Sequence, residues 1–222
     1  MAINKDKLQS VLFLAFSLLL SVSVLLAAWQ RAQSFRKVIY IEHLEDVAVT
    51  VDESELKFRD LAFYLASQEL EVNEQAKVYD LKQTNKYWNV HANGSFIRLE
   101  AKEFAMEQAV HDLIFYWRAV DEKVALNQEE IDYMENLRMD FWNDLEEEGQ
   151  KRLGVSEREI YQIFERMALA QKAQQRLADE KGVDYREYNV NGGMYLELRQ
   201  EHTVQINEKL WERLNFGNIV LG

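Results

Sequence analysis

"EGQKRLGVSEREIYQIFERM", residues 148–167, contains the clearest helix-boundary signals in the chain. The cations just before Gly154 suit the negative end of a helix, and Gly154 can adopt the left-handed conformation that ends one. Ser156 and Glu159 have the spacing of a capping box, in which each residue satisfies a backbone amide of the other. The stretch therefore predicts two helices that meet near Gly154 and pack antiparallel as a helical hairpin.

Apolar residues recur at intervals of three and four on both sides of this junction, which indicates amphipathic helices. The first helix is predicted to begin after Asn127, with Glu130 completing a capping box, and the second to end at Gly182. The apolar stripes are Ile131, Met134, Leu137, Phe141 and Leu145 in the first helix, and Ile160, Ile163, Met167, Ala170, Gln174 and Leu177 in the second.

Two further helices are predicted upstream. Residues 96–123 contain the segment AVHDLIFYWRAV, which is apolar nearly all round and indicates a buried central helix. Asp52, with Glu55 three residues later, predicts the start of a helix that runs to about Tyr79. Residues 80–95, between these helices, are rich in Asn, Lys and Thr and are expected to form a loop.

Short β-branched segments predict a minor β pairing at the two ends of the domain. Val47–Val51 reads VAVTV, and HTVQIN at 202–207 alternates polar and apolar residues. We expect Val47–Val51 to pair with Val204–Ile206, a further short strand at Val38–Ile41, and a short helix at Met194–Glu201. The fold class predicted from these elements is mainly α.

Composition narrows the function classes. The chain has 222 residues, a formal net charge of −12, no Cys and no Pro. The missing Cys excludes disulfides, thiolate metal sites and Cys nucleophiles, and the missing Pro suits long uninterrupted helices. Because the phosphate backbone of nucleic acids repels an acidic protein, we expect no nucleic-acid partner.

The N-terminal segment predicts a membrane anchor. Residues 8–30 carry no charge and as a helix span about 34 Å, enough for a bilayer core of about 30 Å. A cleaved signal peptide is the alternative, but the apolar run continues past the small residues Ser21-Val22-Ser23. Basic residues flank the segment on both sides and leave its orientation open. We predict a transmembrane anchor at 1–30, a stalk at 31–46 and an extracytoplasmic domain at 47–222, in a single-pass protein of the cell membrane.

The order of the parts in residues 47–182 is that of a known family. A short strand leads into "VDESELKFRDLAFYL", and a later helix ends in "RLGVS" before "EREIYQIFERMALAQKAQQRLADEKG". This resembles the N-terminal chaperone domain of SurA/PrsA-type extracytoplasmic foldases. Members of that family carry a Leu-Gly-apolar-Ser-x-x-Glu motif between two helices, and Leu153 to Glu159 match it. The turn at Val51-Asp52 departs from the Asn-Gly pair common in the family. Family chains continue into a parvulin prolyl-isomerase domain, for which 183–222 is too short, so the resemblance implies chaperone function without isomerase activity.

The residues that could act in catalysis or bind a metal are better explained by structural roles. The four histidines lack metal-site spacing, and adjacent helical residues such as His111 and Asp112 are not expected to face each other. The acids at 144–148 are expected to form a solvated helix face rather than a calcium loop, and Ser156 to be a helix cap. We therefore expect no catalytic residues, no metal and no cofactor.

The aromatic residues carry the functional hypothesis. Core packing explains most of them, but some could line an exposed groove for apolar peptide segments. The candidate client-binding residues are Phe63, Tyr64, Tyr87, Trp88, Phe141 and Trp142. The first hypothesis is a membrane-anchored, noncatalytic chaperone-like module that binds unfolded or partly folded exported proteins. The alternative is a bitopic structural or adaptor protein that binds one folded partner in an envelope complex.

Overall fold

A computed structural model describes residues 21–25, 36–92 and 94–221. Residues 21–25 are helical and are labelled α1; the rest of the predicted anchor at 8–30 lies outside the described residues. Within the described ranges, no helix is both long enough and apolar enough to cross a bilayer. The chain divides into two units at Lys37, and the second unit, Val38–Gly222, contains the hydrophobic core.

The second unit is mainly helical, as predicted, with a small antiparallel sheet. Its helices are α2 (Ala62–Tyr79), α3 (Thr84–Tyr87), α4 (Ile97–Asp121), α5 (Gln128–Asp144), α6 (Glu146–Leu153), α7 (Glu157–Lys181), α8 (Gly193–Gln200) and α9 (Glu208–Trp211). Single 3-10 turns lie at Tyr40–His43, Phe58–Leu61 and Tyr185–Tyr188. The strands are β1 (Val47–Val51), β2 (Ser54–Lys57), β3 (His91–Ala92), β4 (Ser95–Phe96) and β5 (Val204–Ile206).

The main sheet joins the two ends of the unit. Its strand order is β2-β1-β5, and both pairings are antiparallel. Val51 lies opposite Val204 and Val49 opposite Ile206, so the predicted pairing of β1 with β5 is confirmed. The valines at 49 and 51 are buried, and their burial fixes the register because a slip by one residue would expose them.

The predicted helix start at Asp52 is wrong. Asp52 and Glu53 instead form the turn of the β1–β2 hairpin, and the helix begins ten residues later, at Ala62. Asp52 has a φ of 53°, in the left-handed region that Asp tolerates better than most residues. Its carboxylate accepts a hydrogen bond from the backbone amide of Thr203 (2.9 Å), which ties the turn to the start of β5.

The helical hairpin is confirmed, with one added break. Ser156 and Asn127 form the predicted capping boxes, and Gly154 ends a helix with a φ of 70°. Ion pairs Glu130–Lys172 and Arg138–Glu157 show that α5 and α7 are antiparallel. The helix predicted to cross Leu145 is interrupted there, and α6 forms a separate short helix that ends at Gly154.

The central position of α4 is confirmed. It packs most extensively against α7 and also against α2, and buried residues occur all round its middle. Phe115 is fully buried there, as are Leu65 of α2 and Ile160 and Ile163 of α7, within about 2% exposure. These helices form the rigid base on which the cavities described below are built.

Two segments differ from the sequence prediction. The compact unit begins at Val38 rather than at Val47, because Val38 is buried and the buried Tyr40 hydroxyl donates to the Phe58 carbonyl (3.0 Å). At Val38–Ile41 the expected strand is reduced to a single bridge to Leu214, followed by a 3-10 turn. The expected loop at 80–95 contains α3 and the short β3–β4 pairing.

Candidate functional site

Two cavities adjoin each other along α7. The first cavity, of about 510 Å³, lies between α2, α4, α7 and the segment 185–192. Its lining is mixed, with the apolar residues Phe63, Phe104 and Val190 beside Gln108, His111, Asp112, Gln171, Gln174 and Asn191, and it is called the polar cavity after the second group. The apolar groove, of about 480 Å³, lies between α5 and α7, and its lining includes Leu126, Tyr133, Met134, Leu137, Phe164 and Ala168. Met167, Gln171 and Tyr185 line both.

The polar cavity has a hydrogen-bonded floor. His111 Nδ1 lies 2.8 Å from Asp112 Oδ1, and His111 Nε2 lies 2.9 Å from the carbonyl oxygen of Tyr188. The Tyr64 hydroxyl donates to the other oxygen of Asp112 at 3.0 Å. The expectation that His111 and Asp112 do not face each other is therefore wrong. Their Cα–Cβ bonds diverge by about 100°, but the side chains turn toward each other over one end of the cavity.

The floor is already saturated with internal hydrogen bonds. Both ring nitrogens of His111 lie within hydrogen-bond distance of an acceptor oxygen. Burial, reinforced by the charge of Asp112, raises the pKa of Tyr64 well above its usual value, which keeps its hydroxyl a donor. This network holds α2, α4 and the 3-10 turn at 185–188 together and gives the cavity a fixed floor.

Carboxamide side chains supply the polar lining. Gln174 is buried, and its amide donates to Asn189 Oδ1 (2.9 Å), which positions the loop after the 3-10 turn. In the part of the chain that the structure describes, three carboxamides make no hydrogen bond to the protein: Gln108, which is half-buried, and Gln171 and Asn191, which are exposed. Each of these three carries both donors and an acceptor, and all three line the same cavity.

The apolar groove exposes side chains that a core would bury. Met134 and Phe164 are buried in its base, whereas Leu137 is 43% exposed and Tyr133 is 65% exposed. Lys172, which also lines the groove, donates to Glu130 (2.6 Å) and to the carbonyl oxygen of Ala125 (2.9 Å). These bonds join the start of α5 to α7 beside the groove.

The aromatic residues proposed from the sequence do not share one exposed groove. Tyr64, Trp88 and Phe141 are buried, and Phe63, Tyr87 and Trp142 are half-buried. Phe63 packs between Phe141 and Phe164, with ring centroids 4.9 and 4.7 Å apart, and Trp88 packs on Phe216 at 5.8 Å. Trp88 lies in the segment expected to be a loop, and the structure buries it against the C-terminal chain.

Sequence reasoning missed the groove residue Tyr133. It lies one position before Met134 and so falls beside the apolar stripe of α5 rather than within it. Its spacing of four residues from Leu137 was the available signal, because residues at that spacing lie on the same helix face. When an apolar stripe is wider than the neighbouring helix can cover, an apolar edge of the stripe stays exposed. Tyr133 and Leu137 form that edge.

The acids at 144–148 lie at the α5–α6 break. Asp144 and Glu146–Glu148 are exposed, and Lys151 pairs with Glu147 (2.8 Å) and Glu148 (3.3 Å). In the part of the chain that the structure describes, no group of three or more acidic or histidine side chains is arranged to hold a metal ion.

No family model, no curated protein and no solved structure matches this chain.

Proposed function

We propose that this chain is a membrane-anchored, noncatalytic chaperone-like module that binds apolar segments of exported proteins in the apolar groove. The observation that carries the proposal is the exposed pair Tyr133 and Leu137 above the buried base of that groove. Large apolar side chains that converge on one open concavity indicate an interaction site rather than an ordinary surface.

The groove suits weak binding of many segments. Covering a leucine-sized side chain contributes about 1.5–3 kcal/mol, so a groove that takes a few such chains binds reversibly once the entropy of association is subtracted. Met134 and Met167 line the groove, and methionine adapts its shape to different partners more easily than branched residues do. Both properties suit a holder of diverse unfolded chains.

Charge supports the same proposal. The chain has a net charge of −12, and the charged residues that line the groove itself are Glu130, Lys172 and Arg176. A high net charge keeps a complex with an unfolded chain in solution.

The membrane and export parts of the proposal rest on the sequence. Residues 8–30 supply the uncharged run that would anchor the protein, and residues 47–182 supply the resemblance to SurA/PrsA-type chaperone domains. We place the 38–222 unit outside the cytoplasm, where exported proteins are unfolded.

The adaptor function is the second candidate, and a separate surface favours it. Val78, Tyr79 and Leu81, at the end of α2, are 90%, 61% and 76% exposed. An exposed apolar patch that lies apart from the groove would suit a single folded partner.

In-cell photo-crosslinking separates the two functions. A photo-crosslinking amino acid would replace Tyr133 in the groove, Tyr79 in the α2 patch, or Glu165, an exposed α7 residue that lines neither cavity, as the control. The chaperone-like function predicts many exported proteins crosslinked at Tyr133. One dominant product at Tyr79, with none above the control at Tyr133, would contradict it and support the adaptor.

A further inference from the structure

We infer that the polar cavity is the backbone-binding half of the same site. An extended polypeptide whose apolar side chains fill the apolar groove would continue over Met167 and Gln171 into the polar cavity. There its peptide groups would exchange hydrogen bonds with the free carboxamides of Gln108, Gln171 and Asn191. This inference rests on the proposed function and adds the class of ligand group that the second cavity recognises.

The two cavities share lining residues on one helix, α7. On α7, Met167, Gln171 and Gln174 form a row at spacings of four and three that lines the polar cavity. The neighbouring row, Phe164, Ala168 and Lys172, lines the apolar groove. Because the rows adjoin on one helix surface, a strand that advances about 3.3 Å per residue passes from one cavity to the other within a few residues.

The free carboxamides match a peptide group. A primary amide carries an acceptor oxygen beside N–H donors, which complements the C=O and N–H of a peptide backbone. The charged groups of this cavity are less available, since Asp112 is engaged by His111 and Tyr64, and Arg186 by Asp184 (2.8 Å). Recognition therefore falls to neutral groups that are insensitive to the side chains of the client.

The combination of apolar contacts in one cavity and backbone hydrogen bonds in the other suits a client of unspecified sequence. Apolar contact in the groove selects a segment by its hydrophobicity, while backbone hydrogen bonds in the polar cavity require an extended, unpaired chain. A folded protein has its backbone groups paired within its own secondary structure and cannot offer them. The site would thus distinguish unfolded from folded chains by backbone availability as well as by exposed apolar surface.

The test uses a probe peptide and its backbone-methylated analogue. The probe, Lys-Ser-Asn-Leu-Phe-Leu-Asn-Ser-Lys with a fluorescent label, has an apolar centre and similar polar arms, so either chain direction presents the same groups. The analogue is N-methylated at both Asn and both Ser residues and lacks those backbone donors. Affinities are measured by fluorescence anisotropy with the full-length protein in lipid nanodiscs. The variants are Gln171→Ala and, as a control, Gln162→Ala, an exposed position on the same helix that lines neither cavity.

We expect the analogue to bind the wild-type protein about three- to tenfold more weakly than the probe, the effect of one net hydrogen bond. Gln171→Ala should weaken binding of the probe and reduce the difference in affinity between the two peptides, whereas Gln162→Ala should behave as wild type. Equal binding of probe and analogue to the wild type would overturn the inference and leave the groove function intact. A methylation effect that persists undiminished in Gln171→Ala would also overturn it. Binding of neither peptide would overturn the proposed function, and the inference with it.

Discussion

Glu69 of α2 holds Ile219 of the C-terminal segment: both of its carboxylate oxygens lie 3.0 Å from the amide nitrogen of Ile219. The same carboxylate accepts hydrogen bonds from the backbone amides of Gly217 (2.6 Å) and Val220 (2.9 Å). Glu69 is fully buried, and this burial raises its pKa, although the amide hydrogen bonds act in the opposite direction. One acidic side chain thus supplies the acceptors that a neighbouring strand would otherwise provide.

Replacing this carboxylate tests its role in stability. In Glu69→Gln, one acceptor oxygen becomes an NH₂ group that faces backbone N–H donors, so buried donors lose their partner. We expect the free energy of unfolding to fall by about 1–3 kcal/mol. Urea unfolding followed by circular dichroism measures it, with the exposed Glu74→Gln on the same helix as the control. Equal stability of the two variants would contradict the role of Glu69.

The link between Asp52 and His202 predicts a pH dependence. The hydrogen bond from His202 (2.7 Å), followed by that from the Thr203 amide, holds the pKa of Asp52 below its ordinary value. Because the folded carboxyl has the lower pKa, its contribution to stability is complete above the unfolded value of about 3.9 and is lost as the pH falls below it.

Asp52→Asn isolates this contribution, because Asn tolerates the positive φ and still accepts from Thr203. We expect the wild-type protein to be more stable than the variant at pH 6 and the difference to shrink as the pH falls below about 4. Urea unfolding at each pH measures the difference. A difference that stays constant or grows on acidification would contradict this assignment.

Two glycines with similar backbones form a matched pair. Gly154 and Gly182 have φ values of 70° and 66°, and both end helices. A Cβ at Gly182 would meet nothing within 4 Å, whereas one at Gly154 would lie 2.7 Å from Ile41 Cγ1. We expect Gly182→Ala to lower the free energy of unfolding by about 1–2 kcal/mol, because alanine is strained in the left-handed conformation. Gly154→Ala should lower it further, because the Ile41 side chain must also move. Thermal unfolding measures the stability of both variants. An equal loss of stability would contradict this prediction, because it would show that the Ile41 side chain moves aside without a penalty.

Local signals were enough to predict the helices but not their interruptions. The capping boxes at Asn127 and Ser156 and the glycine at 154 act on neighbouring residues, so the sequence alone locates α5, α7 and their junction. The residue pattern around Leu145, where the helix breaks, fits an uninterrupted helix equally well. Asp52 with Glu55 fits a helix cap or a hairpin turn equally well, and pairing with β5, about 150 residues away, decides between them.

The candidate site depended on distant contacts that no local pattern encodes. Tyr64, His111 and Tyr188 come from three parts of the chain, and only the packing of α2 and the 185–188 turn on α4 brings them together. Leu137 was recognised as part of an apolar stripe, but its exposure follows from how far α7 covers α5. The sequence therefore predicted the walls of the groove without showing that it is open.

Binding of the probe peptide to a matched pair of α5 variants tests the central claim most directly. Leu137 and Met139 are each 43% exposed, but only Leu137 lines the apolar groove. Losing the contact of a leucine side chain should weaken binding by about tenfold or more, so we expect that effect in Leu137→Gln and wild-type affinity in Met139→Gln. The dissociation constants come from anisotropy titrations of the labelled probe with the full-length protein. Wild-type affinity in Leu137→Gln, or an equal loss in both variants, would contradict binding of apolar segments in this groove.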